Sequence, residues 1–153
     1  PFIWNGIEKE QGVFSWEETD KYVTYAQKHN QKTLATIWPH ANWEQKSCKR
    51  RKASSPFGRK FTKYLSKPCS MDNYKIFLMK LVDRYDGDGK NDMPGLTKPI
   101  KHWQIMNEPE FKMFFKGKED EFVETWYLLA FNLCKLKKYS NARECLNNLE
   151  MLI

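Results

Sequence analysis

Three short apolar runs, set apart by stretches of helical periodicity, limit this chain's architecture more than any other feature. Phe2 to Trp4, Thr33 to Trp38 and Ile100 to Met106 are strand-length and rich in large or β-branched side chains. After the first run come the turn pair Gln11-Gly12 and then Ser15-Trp-Glu-Glu18, where Ser15 and Glu18 have capping-box spacing and predict a helix to about Lys28. Pro39 ends the second run. Between Ser70 and Tyr85, the residues Tyr74, Phe77, Leu78, Leu81, Val82 and Tyr85 recur at the 3.6-residue period of an amphipathic helix, which Asp86-Gly-Asp-Gly89 terminates. From Lys118 onward, Glu119, Asp120 and Glu121 suit the positive end of a further helix. Alternating strands and helices predict an α/β fold with a parallel sheet.

The composition is that of a folded domain: among 153 residues, 41% are hydrophobic and 15% aromatic. No apolar run reaches the roughly 18 residues of a membrane-spanning helix, so no membrane partner is expected. The chain starts at Pro1 inside an apolar run, and both of its ends are expected to be cut from something longer. Its 26 basic and 19 acidic residues leave a formal net charge of +7. The densest basic cluster, Lys49 to Lys52 with Arg59, Lys60, Lys63 and Lys67, is interspersed with Phe57, Phe61 and Tyr64. That mixture can serve phosphate contact and base stacking. No recognised nucleic-acid-binding motif accompanies it, so a solvated surface loop and no nucleic-acid partner are expected.

The third run ends in Asn107-Glu108-Pro109. Proline fixes its own φ and biases the residue before it toward an extended backbone, so Glu108 is expected at a rigid, extended strand exit. A strand stopping in a polar turn is the ordinary account of such a tripeptide. In barrels of alternating strands and helices, however, catalytic groups sit at these C-terminal strand ends.

Three segments carry a more specific likeness. Glu8-Lys-Glu-Gln-Gly-Val-Phe-Ser-Trp16 resembles the segment after the second strand of (β/α)8-barrel glycoside hydrolases, commonly Glu-Pro-x-x-Gly-x-aromatic-x-Trp. Thr33 to Trp43, with Trp-Pro-His-Ala-Asn-Trp, resembles the third strand and its sugar-facing loop. Trp103 to Glu110 resembles the fourth strand with its Asn-Glu-Pro motif. The resemblance is to retaining glycosidases of the Asn-Glu-Pro superfamily. It implies a partial TIM barrel over residues 1–118, approximately strands 2 to 4 with their helices, ending in a helical segment at 119–153. It also implies cleavage of O-glycosidic bonds in oligo- or polysaccharides without a cofactor or metal, and an extracellular or periplasmic setting.

Glycosidic cleavage by retention needs an acid/base and a nucleophilic carboxylate about 5 to 5.5 Å apart. Glu108 is the expected acid/base, and walls of Trp and His would raise its pKa. In the similar enzymes, the asparagine matching Asn107 bonds the sugar 2-hydroxyl. The family's nucleophile lies on the seventh strand, beyond this chain. Glu110 lies about 6.6 Å further along an extended backbone, but it and Glu108 would have to converge on one anomeric carbon from opposite sides, so it does not easily substitute. Glu8, Glu10 and Glu44 belong near the same face but have no nucleophile motif. The chain is therefore expected to hold half an active site and to be inactive alone.

Trp38, His40 and Trp43 offer flat faces and an imidazole at a strand end, which suits sugar binding; barrel packing and a backbone-bonded loop histidine are the ordinary alternatives. Trp4 and Trp103 read as core, and His29 and His102 as packing or solvent-exposed. Asp86 to Asp92 alternates carboxylates like a calcium loop, but Lys90 stands at the third ligand position and no glutamate follows at the twelfth, so a turn is expected. Cys48 and Cys69 flank the basic loop and could close it, although sequence does not establish the pairing. Cys134 and Cys145 read as buried small hydrophobes.

The tail supports a second reading. Trp126, Leu129, Ala130, Leu133, Ala142 and Leu146 follow tetratricopeptide spacing with substitutions, while Ser140 to Arg143 loosely resembles the lead into a fifth barrel strand. Residues 119–153 are thus either barrel helix 4 or a tetratricopeptide-like interaction hairpin. A non-catalytic carbohydrate-binding barrel piece is a third possibility. A half barrel would also expose sheet edges, with poor solubility or self-association expected.

Overall fold

The computed structural model describes residues 1–48, 64–125 and 127. Its centre is a sheet of three parallel strands in the order β1-β4-β5: β1 is Phe2–Ile3, β4 is Leu34–Trp38 and β5 is His102–Ile105. Phe2 is opposite Ile37, and Ile37 in turn is opposite Ile105. The mixed α/β class and the parallel sheet are those expected from the alternation. The outer strand is shorter than its apolar run, because its ladder begins where His102 meets Leu34.

Strand alternation divides the sheet into two faces. Phe2, Ala35, Ile37, Trp103 and Ile105 are buried in the core, whereas Ile3, Thr36, Trp38 and Gln104 are half-buried and Leu34 and His102 exposed. The core closes with α4, Met71–Tyr85, which buries all six residues of its predicted apolar stripe. Each such side chain contributes roughly 1.5–3 kcal/mol of burial. The Ser70 side chain caps α4 by accepting from Asn73 N at 3.2 Å.

Between β1 and Glu17 the chain makes structure that the apolar pattern did not announce. Trp4–Ile7 forms a short helix, α1, followed by a hairpin of β2, Glu8–Glu10, and β3, Val13–Phe14. The expected Gln11-Gly12 turn joins them, with Gly12 at φ 79°, a conformation that favours glycine. Helix α2, Glu17–Lys28, ends where predicted but is not started by a capping box. Ser15 N donates to Ile7 O at 2.7 Å, which holds Ser15 to the hairpin, and Glu18 accepts from Lys21 Nζ at 3.2 Å.

Helices α2 and α4 are joined by a polar cluster. Arg84 Nε donates to Asp20 Oδ1 at 3.0 Å, and the Tyr85 hydroxyl lies 2.7 Å from both Asp20 Oδ1 and Thr19 Oγ1. Burial pushes the Tyr85 pKa up, so the phenol stays protonated. The helix α3, Asn42–Ser47, follows β4, and Cys48 at its end is disulfide-bonded to Cys69 with the Cα atoms 5.9 Å apart. A further helix begins at residue 119, where Glu121 Oε2 accepts from Lys118 N at 2.9 Å. The basic residues at 49–63, Phe57 and Phe61, the two further cysteines, and the proposed helical-repeat positions from Trp126 onward lie outside the described residues, except that Tyr127 is described as exposed.

Candidate functional site

The candidate site residues lie at or after the carboxyl ends of two neighbouring parallel strands: Trp38, His40 and Trp43 at or beyond the end of β4, and Asn107 and Glu108 beyond β5. Met106 N donates to Ile37 O at 2.9 Å, which carries the parallel ladder past β5. The chain then bends: Met106 and Glu108 have φ of 54° and 51°. The extended conformation expected for Glu108 is thus corrected. Proline disfavours the right-handed helical region for its predecessor, but here the chain must reverse, and Glu108 O accepts from Phe111 N at 3.1 Å across Pro109-Glu110. Left-handed backbone costs a non-glycine residue about 1–2 kcal/mol. Two such residues flank Asn107, and strain of this kind concentrates at functional sites.

Asn107, Glu108 and Glu110 are exposed, so among the described residues no Trp or His wall closes over Glu108. Trp38 is half-buried at the end of β4, with its ring edge-to-face against Phe114 at 5.4 Å between centroids. Trp43, also half-buried, donates Nε1–H to Glu8 O at 2.9 Å and meets Trp4 edge-to-face at 5.8 Å. Trp4 and Trp103 are core, and His29 and His102 are exposed.

His40 is fully buried. Its Nδ1 lies 3.2 Å from Ser66 O and its Nε2 3.3 Å from Phe114 O, while the ring faces Phe115 in a stacked orientation at 6.3 Å. Desolvation lowers its pKa to about 4, against the opposing pull of the two carbonyl contacts. At neutral pH the ring is uncharged and carries one N–H.

Glu8, Glu44 and Gln45 are buried polar groups and Asn5 is half-buried; Glu8 and Glu44 were expected near this face, whereas Gln45 and Asn5 were not singled out in the sequence. Glu8 accepts from Trp4 Nε1 at 2.6 Å and from Gly12 N at 2.7 Å. Glu44 Oε1 accepts from Ser70 N at 2.6 Å, and Gln45 Oε1 accepts from Ser66 N at 3.2 Å while its amide donates back to Ser66 O. Asn5 N donates to His40 O at 2.9 Å, and Asn5 Oδ1 accepts from Asn42 N at 2.8 Å. A cluster of Glu, Gln and Asn inside segments that also carry Trp was the available signal, because buried polar groups must find partners.

Asp86, Asp88 and Asp92 bring carboxylate oxygens within 4.8 Å of one another. They accept from the loop's own backbone, as Gly87 N to Asp92 Oδ1 at 3.0 Å and Lys90 N to Asp88 Oδ1 at 2.9 Å, which is turn architecture. Among the described residues, no helix is long and apolar enough to cross a membrane.

No protein-family profile matches the chain, and no curated protein matches it. Its fold is similar to that of a crystal structure of a glucosidase from Croceicoccus marinus, with a TM-score of 0.60 at 16% identity over 88% of this chain. The chain spans 24% of that glucosidase's length.

Proposed function

We propose that this chain is the β-strand 2 to 4 portion of a (β/α)8-barrel retaining glycosidase, with Glu108 as the acid/base. The observation that carries the reading is the position of Asn107-Glu108 beyond the carboxyl end of a parallel strand, with Glu108 itself on a left-handed backbone, next to a strand that ends in Trp38. The fold similarity to a glucosidase supports it. In this reading Glu108 protonates the departing glycosidic oxygen and later activates water, Asn107 bonds the 2-hydroxyl, and Trp38 and Trp43 border the sugar, with His40 behind them.

The attacking carboxylate comes from elsewhere. Both oxygens of Glu8 already accept hydrogen bonds, and Glu44 is fully buried against Ser70. The remaining barrel strands would supply the second carboxylate. The disulfide between Cys48 and Cys69 fits an oxidising compartment, and no nucleic-acid or membrane partner is invoked. A second reading, carbohydrate binding without turnover, is favoured by the same exposure of Glu108.

The test places Glu108→Gln in the polypeptide that joins this segment to a nucleophile-bearing strand. Glycosides with alkyl leaving groups, which need protonation, should lose about 10²–10⁴-fold in turnover. Dinitrophenyl glycosides, whose leaving group departs as a stable anion, should lose far less in the glycosylation step. Equal turnover by variant and parent on both substrates would refute the acid/base role, and binding without turnover in the parent would establish the second reading.

A further inference from the structure

The loop that carries Glu108 is held by the burial of Phe115 in the core, by backbone hydrogen bonds and by the His40 ring. Lys116 N donates to Leu65 O at 2.7 Å, while Phe114 O faces His40 Nε2. His40 belongs to the loop after β4, and its own carbonyl accepts from Asn5 N beyond β1. The ring therefore stands where the segments leaving all three parallel strands meet.

The two ring contacts are not equivalent. Ser66 O also accepts from the Gln45 side-chain amide, which returns its own oxygen to Ser66 N. Phe114 O receives the imidazole. Because a neutral ring has one proton, the proton is most useful on Nε2, where it secures a carbonyl that would otherwise depend on a desolvated lone-pair contact.

We infer that His40 is a positioning residue for Glu108: in the Nε2–H tautomer it fastens the loop after β5 to the loop after β4 and so fixes the backbone from which the carboxylate projects. This rests on the acid/base reading of Glu108 for its functional meaning, but the mechanical coupling is measurable without catalysis. His40 itself touches no reacting atom.

Two amide substitutions separate the two ring nitrogens. The amide nitrogen of Asn falls near the place of Nδ1, and that of Gln near the place of Nε2. His40→Gln should keep the donor to Phe114 O, and His40→Asn should offer one to Ser66 alone. By hydrogen exchange on the whole chain, amides of residues 111–116 should exchange about tenfold faster in His40→Asn than in His40→Gln, with residues 71–85 alike in both. Equal exchange at 111–116 in the two variants, or acceleration spread evenly over both segments, would overturn the coupling. Ring ¹⁵N shifts of the unaltered chain provide a reading independent of either variant's folding: they should assign the proton to Nε2, and an Nδ1–H tautomer contradicts the proposal. Turnover of Glu108→Gln bears only on the acid/base reading, so the two can fail separately.

Discussion

Acid should weaken this fold through His40 before it reaches most of the carboxylates. In the unfolded chain the imidazole titrates near 6.5, and in the folded protein burial lowers it to about 4. Between these values the unfolded chain binds a proton that the native state refuses, so stability is complete above about pH 6.5 and falls as the pH drops toward 4. Each pH unit inside the window is worth about 1.4 kcal/mol, so going from pH 7 to pH 5 removes about 2 kcal/mol and the whole window about 3. The backbone carbonyls near the ring favour protonation, but removal from water dominates. The assay is urea unfolding at pH 7, 6 and 5, followed by tryptophan fluorescence, on the unaltered chain and on His40→Gln. The variant cannot titrate, and carboxylates contribute equally to both proteins, so the difference between the curves isolates the ring. Curves that stay parallel from pH 7 to pH 5 would refute the reasoning.

Two further outcomes follow from the fold. Reducing the Cys48–Cys69 bond, or replacing both cysteines by serine, should lower stability by about 3 kcal/mol, because the 21-residue separation sets the chain entropy recovered on unfolding; calorimetry with and without reductant measures it. Gly87→Ala should destabilise by about 2–4 kcal/mol, since Gly87 has φ 74° and an added Cβ would lie 2.4 Å from Pro99 Cγ. Gly89→Ala, at φ 86° but with nothing within 4 Å, should show the backbone part of that cost alone in the same melting experiment.

What could be read from sequence differed with the range of the forces involved. The apolar period and glycine stop of helix α4 were legible because both are local, and packing agrees with them; its Ser70 cap was not read from the sequence. The start of α2 misled, since Ser15 and Glu18 have the right spacing but Ser15 N, just past the hairpin, donates to Ile7 O just before it. Local signals yield where a longer-range hydrogen bond competes for the same group. The same holds at the site. Asn107-Glu108 was placed correctly at a strand exit, while the left-handed turn there depends on a bond to Phe111 and on the loop beyond. The burial of His40 depends on Ser66 and Phe114, 26 and 74 residues away, which no local pattern encodes.

The sheet order gives Glu108 a particular relation to whatever lies beside it. Because β4 is central, β5 is an outer strand of the described sheet, and Glu108 follows its last rung. A strand joining that border in parallel would bring its own terminal side chains level with Glu108 as a geometric by-product of backbone pairing. Two carboxylates could thus be brought together by sheet growth alone, with no rearrangement of the loop that holds the first. A second copy joining antiparallel would present its opposite end there instead, so strand direction at this one border would decide between an assembled site and a blocked one.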